Sequence, residues 1–223
     1  MDEPSLITTS DGSHSLYRAD LDETYHSRHG AVQESMHVFI HQGFDFLVNL
    51  APRKDVAILE IGFGTGLNAL LTAEAGQRTG LDIFYTSLEA FPITEPLWSK
   101  LNYAQEAAQQ TLFKSLHLAP WGDIVDVRPD FHLLKLHLTL QEVQLTSAAF
   151  DLVYFDAFGP AKQPEMWERP MLERVIETMT RKSIFVTYCA KGQLKRDLRD
   201  LGLQVETLAG PPGKKEMVRA IKN

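Results

Sequence analysis

The sequence predicts an α/β fold in which a mostly parallel sheet of seven strands carries helices on both faces. Short apolar segments, rich in β-branched and aromatic residues, alternate with longer segments of helical spacing along most of the chain. A glycine-rich turn also joins the first of the core strands directly to a helix. In sheets of this kind, ligands bind beyond the carboxyl ends of the strands. Those ends are therefore the first places to look for a functional site.

Composition and length are those of one ordinary globular domain, residues 1–223. Hydrophobic residues make up 44% of the chain and charged residues 23%. No apolar run approaches the roughly 18 residues of a membrane span, and the first residues lack the layout of a secretion signal. The one cysteine, Cys189, excludes an internal disulfide and a cysteine-based metal cluster. A soluble protein of the reducing cytoplasm is the simple expectation.

The elements divide into an N-terminal extension, residues 1–50, and a core, residues 51–223. Residues 5–17 alternate in polarity around an Asp-Gly turn, which predicts a hairpin, and residues 31–48 have helical spacing. The predicted core strands are residues 56–61, 83–88, 131–138, 150–155, 183–188, 203–208 and 216–222. The predicted core helices are residues 67–77, one or two within 94–117, a short one near 140–145, 164–179 and 192–201.

Three glycines, Gly62, Gly64 and Gly66, form a turn between the first core strand and its helix. They permit a tight turn against which a ligand can lie, and the helix start offers free N–H groups. A dinucleotide fingerprint has its third glycine one residue later and cradles a pyrophosphate, which Glu60 would repel. Glu60 would suit a cationic ligand, and Glu89, at the end of the next strand, can accept both hydroxyls of a ribose. S-adenosylmethionine is therefore the first cofactor hypothesis and NAD the second.

Asp156 ends another predicted strand and is the candidate catalytic residue. The turn that follows exposes the apolar ring of Phe158 toward the same edge, a layout similar to that of many amine-directed methyltransferases. Methyl transfer needs a nitrogen with a free lone pair, and a primary alkylamine is mostly protonated at pH 7. Asp156 can orient the ammonium and accept its proton, directly or through water, while alignment supplies most of the rate. The alternative interpretation is a helix N-cap or turn aspartate.

Charge is distributed unevenly along the chain. The net charge is −7, yet residues 178–223 carry 10 Lys and Arg against 4 Asp and Glu. A basic patch on an acidic protein can still bind a polyanion, because phosphate contacts are short-range. The alternative interpretation is a set of solvated helix faces, since charge alone says little about specific partners.

Several segments together resemble the methyltransferase domain of the MnmC-type tRNA-modifying enzymes. They are Glu60–Asn68 (EIGFGTGLN), Asp156–Trp167 (DAFGPAKQPEMW), Gly213–Met217 (GKKEM), and YHSRHGA from Tyr25 with QES from Gln33. The resemblance spans nearly the whole chain, and the Asp156–Trp167 segment is highly specific. In fused members of the family an FAD-dependent oxidase domain follows, whereas this chain resembles the stand-alone form without that domain.

The resemblance implies a Rossmann-like class I methyltransferase that uses S-adenosyl-L-methionine. Such an enzyme methylates the aminomethyl group of 5-aminomethyl-2-thiouridine at the tRNA wobble position, giving 5-methylaminomethyl-2-thiouridine. This substrate agrees with the amine chemistry argued above, and it gives the basic region a partner, the tRNA anticodon arm. No membrane and no metal are expected to take part.

The resemblance also implies a set of site residues, with Asp156 facing the amine and Glu89 holding the ribose. The expected cofactor-binding residues are Glu60, Gly62, Phe63, Gly64, Thr65, Gly66, Asn68, Glu89, Ala90, Thr139, Asp156 and Phe158. The expected substrate-binding residues are Tyr25, His26, Ser27, Glu34, Phe158, Lys162, Lys191, Lys195, Lys214 and Lys215. One departure stands out, because Leu138-Thr139 replaces the Gly-Asp with which many relatives hold adenine.

Three other interpretations stay open. A metal site at His26, His29, His37 and His41 lacks the carboxylate motif that would complete a zinc site. Within enzymes, the substrate amine can instead belong to a small molecule or to a protein. Outside enzymes, the chain can be a non-catalytic nucleotide-binding protein, although Asp156 in its motif argues against that.

Overall fold

The N-terminal extension contains a small antiparallel sheet followed by a long helical segment. The computed structural model describes residues 3–223. Strand β1 (Ser5–Thr8) pairs with β2 (His14–Arg18), which pairs with the short β3 (Glu23–Thr24). Asp11 stabilises the connecting turn, because its Oδ1 accepts hydrogen bonds from the hydroxyl groups of Thr9 and Ser13. The predicted hairpin is therefore confirmed.

The long helical segment packs across one face of the main sheet. It consists of α1 (Ala31–Ser35), a π-helix (Met36–Asp45) and α2 (Phe46–Leu50). Gly43 lets the π-helix approach the sheet closely, since a Cβ there would lie 3.0 Å from the side chain of Val186. Residues 31–48 are helical, as predicted from their spacing, but the wider π turn was not foreseen.

The main sheet has eight strands in the order β10-β11-β9-β8-β4-β5-β7-β6. Five central strands, from β9 to β7, are mutually parallel, while β10, β11 and β6 are antiparallel to their neighbours. The bounds are β4 Asp55–Ile61, β5 Asp82–Leu88, β6 Ile124–Arg128, β7 Phe131–Leu136, β8 Phe150–Phe155, β9 Met179–Thr187, β10 Leu203–Ala209 and β11 Glu216–Lys222. The predicted mostly parallel α/β fold is confirmed.

The predicted count of seven strands is wrong, because β6 was missed. This edge strand pairs on one side with β7 and stays largely accessible, so its side chains need not alternate in polarity. Ile124, in that strand, is 72% exposed. The hydrophobic pattern that reveals the buried strands is consequently absent there.

Helices cover both faces of the sheet and are α3 Leu67–Thr79, α4 Glu95–Trp98, α5 Ala107–Leu118, α6 Arg169–Thr178 and α7 Gly192–Asp200. The short helix predicted near residues 140–145 is wrong, since the chain makes a turn at residues 140–142. The helix predicted at residues 164–179 is divided into a 3-10 turn, Pro164–Trp167, and α6. Glu168 between them is extended, and Pro170 in the first turn of α6 starts a new helix.

Two apolar layers lie against the sheet, one on each face. One is formed with α1, the π-helix, α3 and α5, and the other with α6 and α7. Across residues 3–223, no helix combines the length and the apolar character that a membrane crossing requires.

Candidate active site

A cavity of about 540 Å³ opens at the carboxyl edge of the parallel strands. The segments that follow β4, β5, β7 and β8 form its floor and sides, as strand topology predicts for this class of sheet. Two further walls come from outside those strands, namely residues 23–29 of the extension and residues 213–214 of the β10–β11 loop. The cavity therefore joins segments that are distant in the sequence.

The glycine turn after β4 forms the floor through its backbone. Gly62, Gly64 and Gly66 have φ angles of 98°, 51° and 73°, which side-chain-bearing residues rarely adopt. A Cβ on Gly62 would lie 2.9 Å from the carbonyl oxygen of Asp156. The turn thus brings the ends of β4 and β8 together with open backbone facing the cavity. Gly66 itself lies behind the wall, where it caps the start of α3.

Glu89 faces the glycine turn from the end of β5. Its Oε2 accepts a hydrogen bond from the Gly64 N–H at 2.8 Å, and its Oε1 accepts one from the Phe91 N–H at 2.8 Å. Burial raises the pKa of Glu89. Each carboxylate oxygen retains a second lone pair, so the pair can accept two neighbouring hydroxyl groups.

Asp156 lies on the cavity wall beside the glycine turn. Its backbone N–H donates to the carbonyl oxygen of Ile61 at 3.0 Å, and its Oδ2 accepts a hydrogen bond from Nδ2 of Asn68 at 2.9 Å. Burial raises the pKa of Asp156 well above its usual range, and the nearby charges of Glu34 and Glu60 raise it further. This carboxyl group is therefore suited to taking up a proton.

Glu60 lies beneath the glycine turn and not on the cavity wall. Its exposure is 0%, its Oε2 accepts a 2.6 Å hydrogen bond from Ser87, and burial raises its pKa to about 8. The sequence argument expected Glu60 to contact a cation directly, whereas its side chain does not reach the cavity wall. Its motif spacing alone could not reveal this, because the side chain of a strand residue can point to either face.

Residues of the extension close the cavity above the glycine turn. Nε2 of His26 lies 2.7 Å from Oγ1 of Thr65, and burial lowers the pKa of His26 to about 4. The imidazole is therefore neutral at pH 7, and its hydrogen bond with Thr65 connects the extension to the glycine turn. The ring of Tyr25 meets that of Phe158 edge to face at 5.2 Å. Tyr25, His26, Ser27 and Glu34 all line the cavity, as does Phe158.

Of the five lysines proposed from the sequence, Lys214 lines the cavity and the others lie outside its wall. Lys162 forms a 3.7 Å ion pair with Asp22, and Lys195 forms a 3.2 Å ion pair with Glu216. Lys191 and Lys215 are exposed. The five lysines consequently do not form one cluster around the cavity.

The wall after β7 differs from the expected adenine site. Thr139 lines the cavity, but its hydroxyl donates a 2.7 Å hydrogen bond to Glu142. Gln141 and the half-exposed ring of Phe91 lie on the cavity wall as well. Ala90 and Phe63 line the cavity too, as predicted from their motifs.

Among the wall residues that the sequence did not reveal are Arg18 of β2 and Tyr188 after β9. Tyr188 follows the carboxyl end of a parallel strand, and that position was a usable signal. Arg18 lies in the hairpin, and no local pattern connects it to the glycine turn. It reaches the cavity through the tertiary packing of the extension.

The residues present fit a ligand that joins a cation to a ribose. Asn68 is buried, and its Oδ1 has no hydrogen-bond partner among residues 3–223, which leaves an acceptor for an ammonium group. Five carboxylate side chains line the wall, against three of Lys and Arg, and Gly62 and Gly64 have no side chain to separate a ligand from their backbone. S-adenosyl-L-methionine has this combination of groups, and the acidic wall disfavours the pyrophosphate of NAD.

Comparisons with known proteins agree with this chemistry. A curated relative from Nitrosospira multiformis, the tRNA 5-methylaminomethyl-2-thiouridine biosynthesis bifunctional protein MnmC, is 30% identical over 92% of this chain and 35% of its own length. The MnmC protein of Ralstonia nicotianae is also 30% identical, over 92% of this chain and 32% of its own length. The chain therefore spans about a third of the length of these relatives.

A solved structure shares the fold. The crystal structure of MNMC2 from Aquifex aeolicus matches with a TM-score of 0.80 and 24% identity, over 99% of this chain and 70% of that one. A family model described as S-adenosyl-L-methionine-dependent methyltransferase matches residues 103–223, more than half of the chain. The chain is thus a member of the S-adenosyl-L-methionine-dependent methyltransferases, and S-adenosyl-L-methionine is its cofactor.

Proposed function

We propose that this protein methylates the aminomethyl group of 5-aminomethyl-2-thiouridine at the wobble position of tRNA, giving the 5-methylaminomethyl form. The observation that carries the proposal is the carboxyl group of Asp156, which lies on the wall beside the glycine turn and has a pKa raised by burial. The names of the relatives support the choice of substrate. The chain matches only part of those relatives, so their activity is carried over here as a proposal.

The glycine turn and its neighbours would hold the cofactor. Backbone groups of Gly62 and Gly64 would lie along its methionine portion, and Asn68 Oδ1 would accept from its ammonium group. Glu89 would accept hydrogen bonds from the ribose hydroxyls with its remaining lone pairs. Bound there, S-adenosyl-L-methionine supplies a methyl group on a sulfonium, and the neutral thioether is a good leaving group. Glu60 would act from below, through its effect on the charge of the site.

Asp156 would receive the amine. An arriving ammonium group would bind its carboxylate, transfer one proton to it, and so free the nitrogen lone pair for the methyl carbon. The freed nitrogen would then take the methyl group from the sulfonium, which would be left as a neutral thioether. Asp156 would hold the removed proton beside the protonated secondary amine. The rings of Phe158 and Tyr25 would keep water away from the nitrogen and fix its direction.

The tRNA would approach over the rim of the cavity. Lys191 and Lys215 are exposed and would contact phosphates directly. Lys162 and Lys195 have carboxylate partners and would have to exchange them for phosphates. We include in the proposal that residues 1–223 act as one domain in the cytoplasm and that residues 1–50 contribute to the entrance for substrate and cofactor.

The test is methylation of tRNA by the purified protein. Transfer RNA carrying 5-aminomethyl-2-thiouridine is incubated with S-adenosyl-L-methionine, digested to nucleosides and analysed by mass spectrometry. The proposal expects a gain of one methyl group on that nucleoside alone. Methylation of a small-molecule or protein amine, with the tRNA nucleoside unchanged, would contradict it. In cells without the protein, the unmethylated aminomethyl nucleoside is expected to accumulate.

A further inference from the structure

Lys214 directs its ammonium group into the cavity, although it belongs to the loop between β10 and β11. Its Nζ donates to Oε1 of Glu34 and lies 3.9 Å from the centroid of the Tyr188 ring. A carboxylate and an aromatic face are the groups with which proteins commonly hold an ammonium ion. The ammonium of Lys214 consequently occupies a built cation site.

The groups that hold this ammonium are fixed independently of the lysine. The second carboxylate oxygen of Glu34 accepts a 2.7 Å hydrogen bond from the Ser27 N–H. The Tyr188 hydroxyl donates to the carbonyl oxygen of Ala157 at 2.8 Å, which fixes the ring. The cradle formed by Glu34 and Tyr188 would therefore keep its shape if the lysine left.

The lysine is the more accessible partner of the pair. Its side chain is 31% exposed, whereas that of Glu34 is 6% exposed. The ammonium can consequently leave outward without moving α1, which carries Glu34. An empty cradle would leave a buried carboxylate without a positive partner, and that state is costly unless another cation enters.

The cradle lies in the same cavity as the proposed proton acceptor. Glu34, Tyr188 and Asp156 all line it. The charges of both partners also reach Asp156. Burial is the largest cause that raises the pKa of Asp156, Glu34 raises it further, and Lys214 acts in the opposite direction. An ammonium held in the cradle therefore lies in the same cavity as the carboxyl group that would deprotonate it, within its electrostatic reach.

We propose that Lys214 is an internal stand-in for the substrate's aminomethyl group and that it excludes free amines from the site. A small amine would have to displace an ammonium of the same kind and leave it with no new partner. An RNA-borne amine arrives with phosphates, which can bind the released Lys214. Selectivity then follows from a competitor built into the chain. This inference rests on the proposed function, because it takes the substrate to be an amine carried by RNA.

The experiment compares two substrates, the aminomethyl tRNA and the free 5-aminomethyl-2-thiouridine nucleoside. Lys214→Met keeps the aliphatic stem and removes the ammonium. The KM for the free nucleoside is expected to fall roughly tenfold, since a charge-assisted hydrogen bond becomes available to it. The KM for the tRNA is expected to rise, because a phosphate partner is lost. Lys54→Met is the matched control, since Lys54 is exposed before β4 at the opposite edge of the sheet, and both KM values should stay unchanged.

A second variant identifies the cradle as the cause. In Glu34→Gln combined with Lys214→Met, the gain on the free nucleoside should disappear, because the cradle no longer holds a carboxylate that can bind the amine. If Lys214→Met fails to fold, as judged by its melting temperature, Lys214→Gln is measured instead and the same gain is expected.

The outcomes separate the two proposals. If the wild-type protein methylates neither substrate, the proposed function is wrong and the inference falls with it. If the wild-type protein methylates the tRNA, but a folded Lys214 variant gains nothing on the nucleoside, the inference alone is overturned. A gain that survives the Glu34→Gln substitution would also overturn it.

Discussion

The two halves of the cavity are built in different ways. The cofactor half lies at the ends of β8, β4 and β5, which are direct neighbours in the sheet, and its contacts run largely through the backbone. The substrate half joins residues 25–29 and Glu34 to residues 213–214. Its central contact, between Glu34 and Lys214, links positions 180 residues apart. The order of the strands in the sheet determines the geometry of the cofactor half, whereas contacts between side chains determine that of the substrate half.

This difference predicts how each half responds to substitution. The glycine turn has little room for added atoms, so a side chain introduced there should weaken cofactor binding. The substrate half depends on charges, so changes there should alter pH dependence and substrate choice while the cofactor still binds.

The largest expected effect tests whether Asp156 belongs to the chemistry and not to the scaffold. Asp156→Asn keeps the shape and removes the proton acceptor, so the methylation rate should fall by about 10² to 10⁴. Affinity for S-adenosyl-L-methionine, measured by calorimetry, should change little. Asp151→Asn is the control at the other end of β8, where Asp151 accepts a hydrogen bond from the Ala57 N–H, and it should retain the rate. Full activity of Asp156→Asn would contradict the proposal that Asp156 accepts the proton of the amine.

The next effect concerns the backbone of the cofactor half. Gly62→Ala combines an unfavourable φ of 98° with a Cβ only 2.9 Å from the Asp156 carbonyl oxygen. The left-handed backbone alone should cost roughly 1–2 kcal/mol of stability. We expect cofactor affinity to fall by about tenfold or more in addition, since the clash displaces the turn against which the cofactor would lie. Gly80→Ala, with φ 69° and no described neighbour within 4 Å of its Cβ, isolates that backbone cost. It should lower stability and leave affinity intact, and equal losses of affinity in the two variants would contradict the steric argument.

The charges of the substrate half, and their effect on Asp156, are tested by the pH dependence of the methylation rate. If Asp156 must be deprotonated to act, the rate falls as pH drops through its pKa. Asn68→Ala removes a hydrogen bond that lowers this pKa, so the acid limb should move to higher pH. Glu34→Gln removes a negative charge that raises it, so the limb should move to lower pH. The two substitutions are expected to shift the acid limb in opposite directions, and shifts in the same direction would show that Asp156 is not the titrating group.

The last expected effect is on the stability of the protein and not on its activity. It concerns Lys135, which lies behind the cofactor half. This residue is 1% exposed, its ammonium donates to the His117 carbonyl oxygen at 2.8 Å, and it lies 5.1 Å from the Phe63 ring centroid. Burial lowers its pKa from 10.5 to about 8. Between those values the unfolded chain binds more protons, so stability should rise with pH by at most about 1.4 kcal/mol per unit.

The contribution of Lys135 to the pH dependence of stability is measured by denaturant unfolding of the wild type and of Lys135→Met between pH 7 and pH 10.5. The stability of the wild type relative to the variant should increase from about pH 8 upward. A difference that stays flat across this range would mean that Lys135 has the same pKa in both states.

The sequence predicted the cofactor half far better than the substrate half. The Gly62–Gly66 turn, Glu89 and Asp156 each follow a buried strand, so hydrophobic pattern and strand order were sufficient to bring them together. Glu60 was expected at the ligand and lies below it, because spacing does not reveal which face of the sheet a side chain occupies. These roles in binding and catalysis stay predictions until they are measured.

The substrate half was accessible only through resemblance. Glu34 and Lys214 were both expected at the substrate, yet nothing in either segment indicated that they contact each other. Tyr188 was missed, although its place after a strand offered a signal. The edge strand β6 was missed because an accessible strand need not alternate. Contacts between distant segments depend on tertiary packing, which local patterns do not encode.

The long separation between Glu34 and Lys214 has a consequence for synthesis of the protein on the ribosome. The glycine turn and the β8 end that carries Asp156 emerge well before residue 214 has been added. A nascent chain at that stage contains the glycine turn and Asp156 but lacks Lys214, which completes the amine side of the cavity. The contact between Glu34 and Lys214 can therefore form only after the segments of the cofactor half have been synthesised.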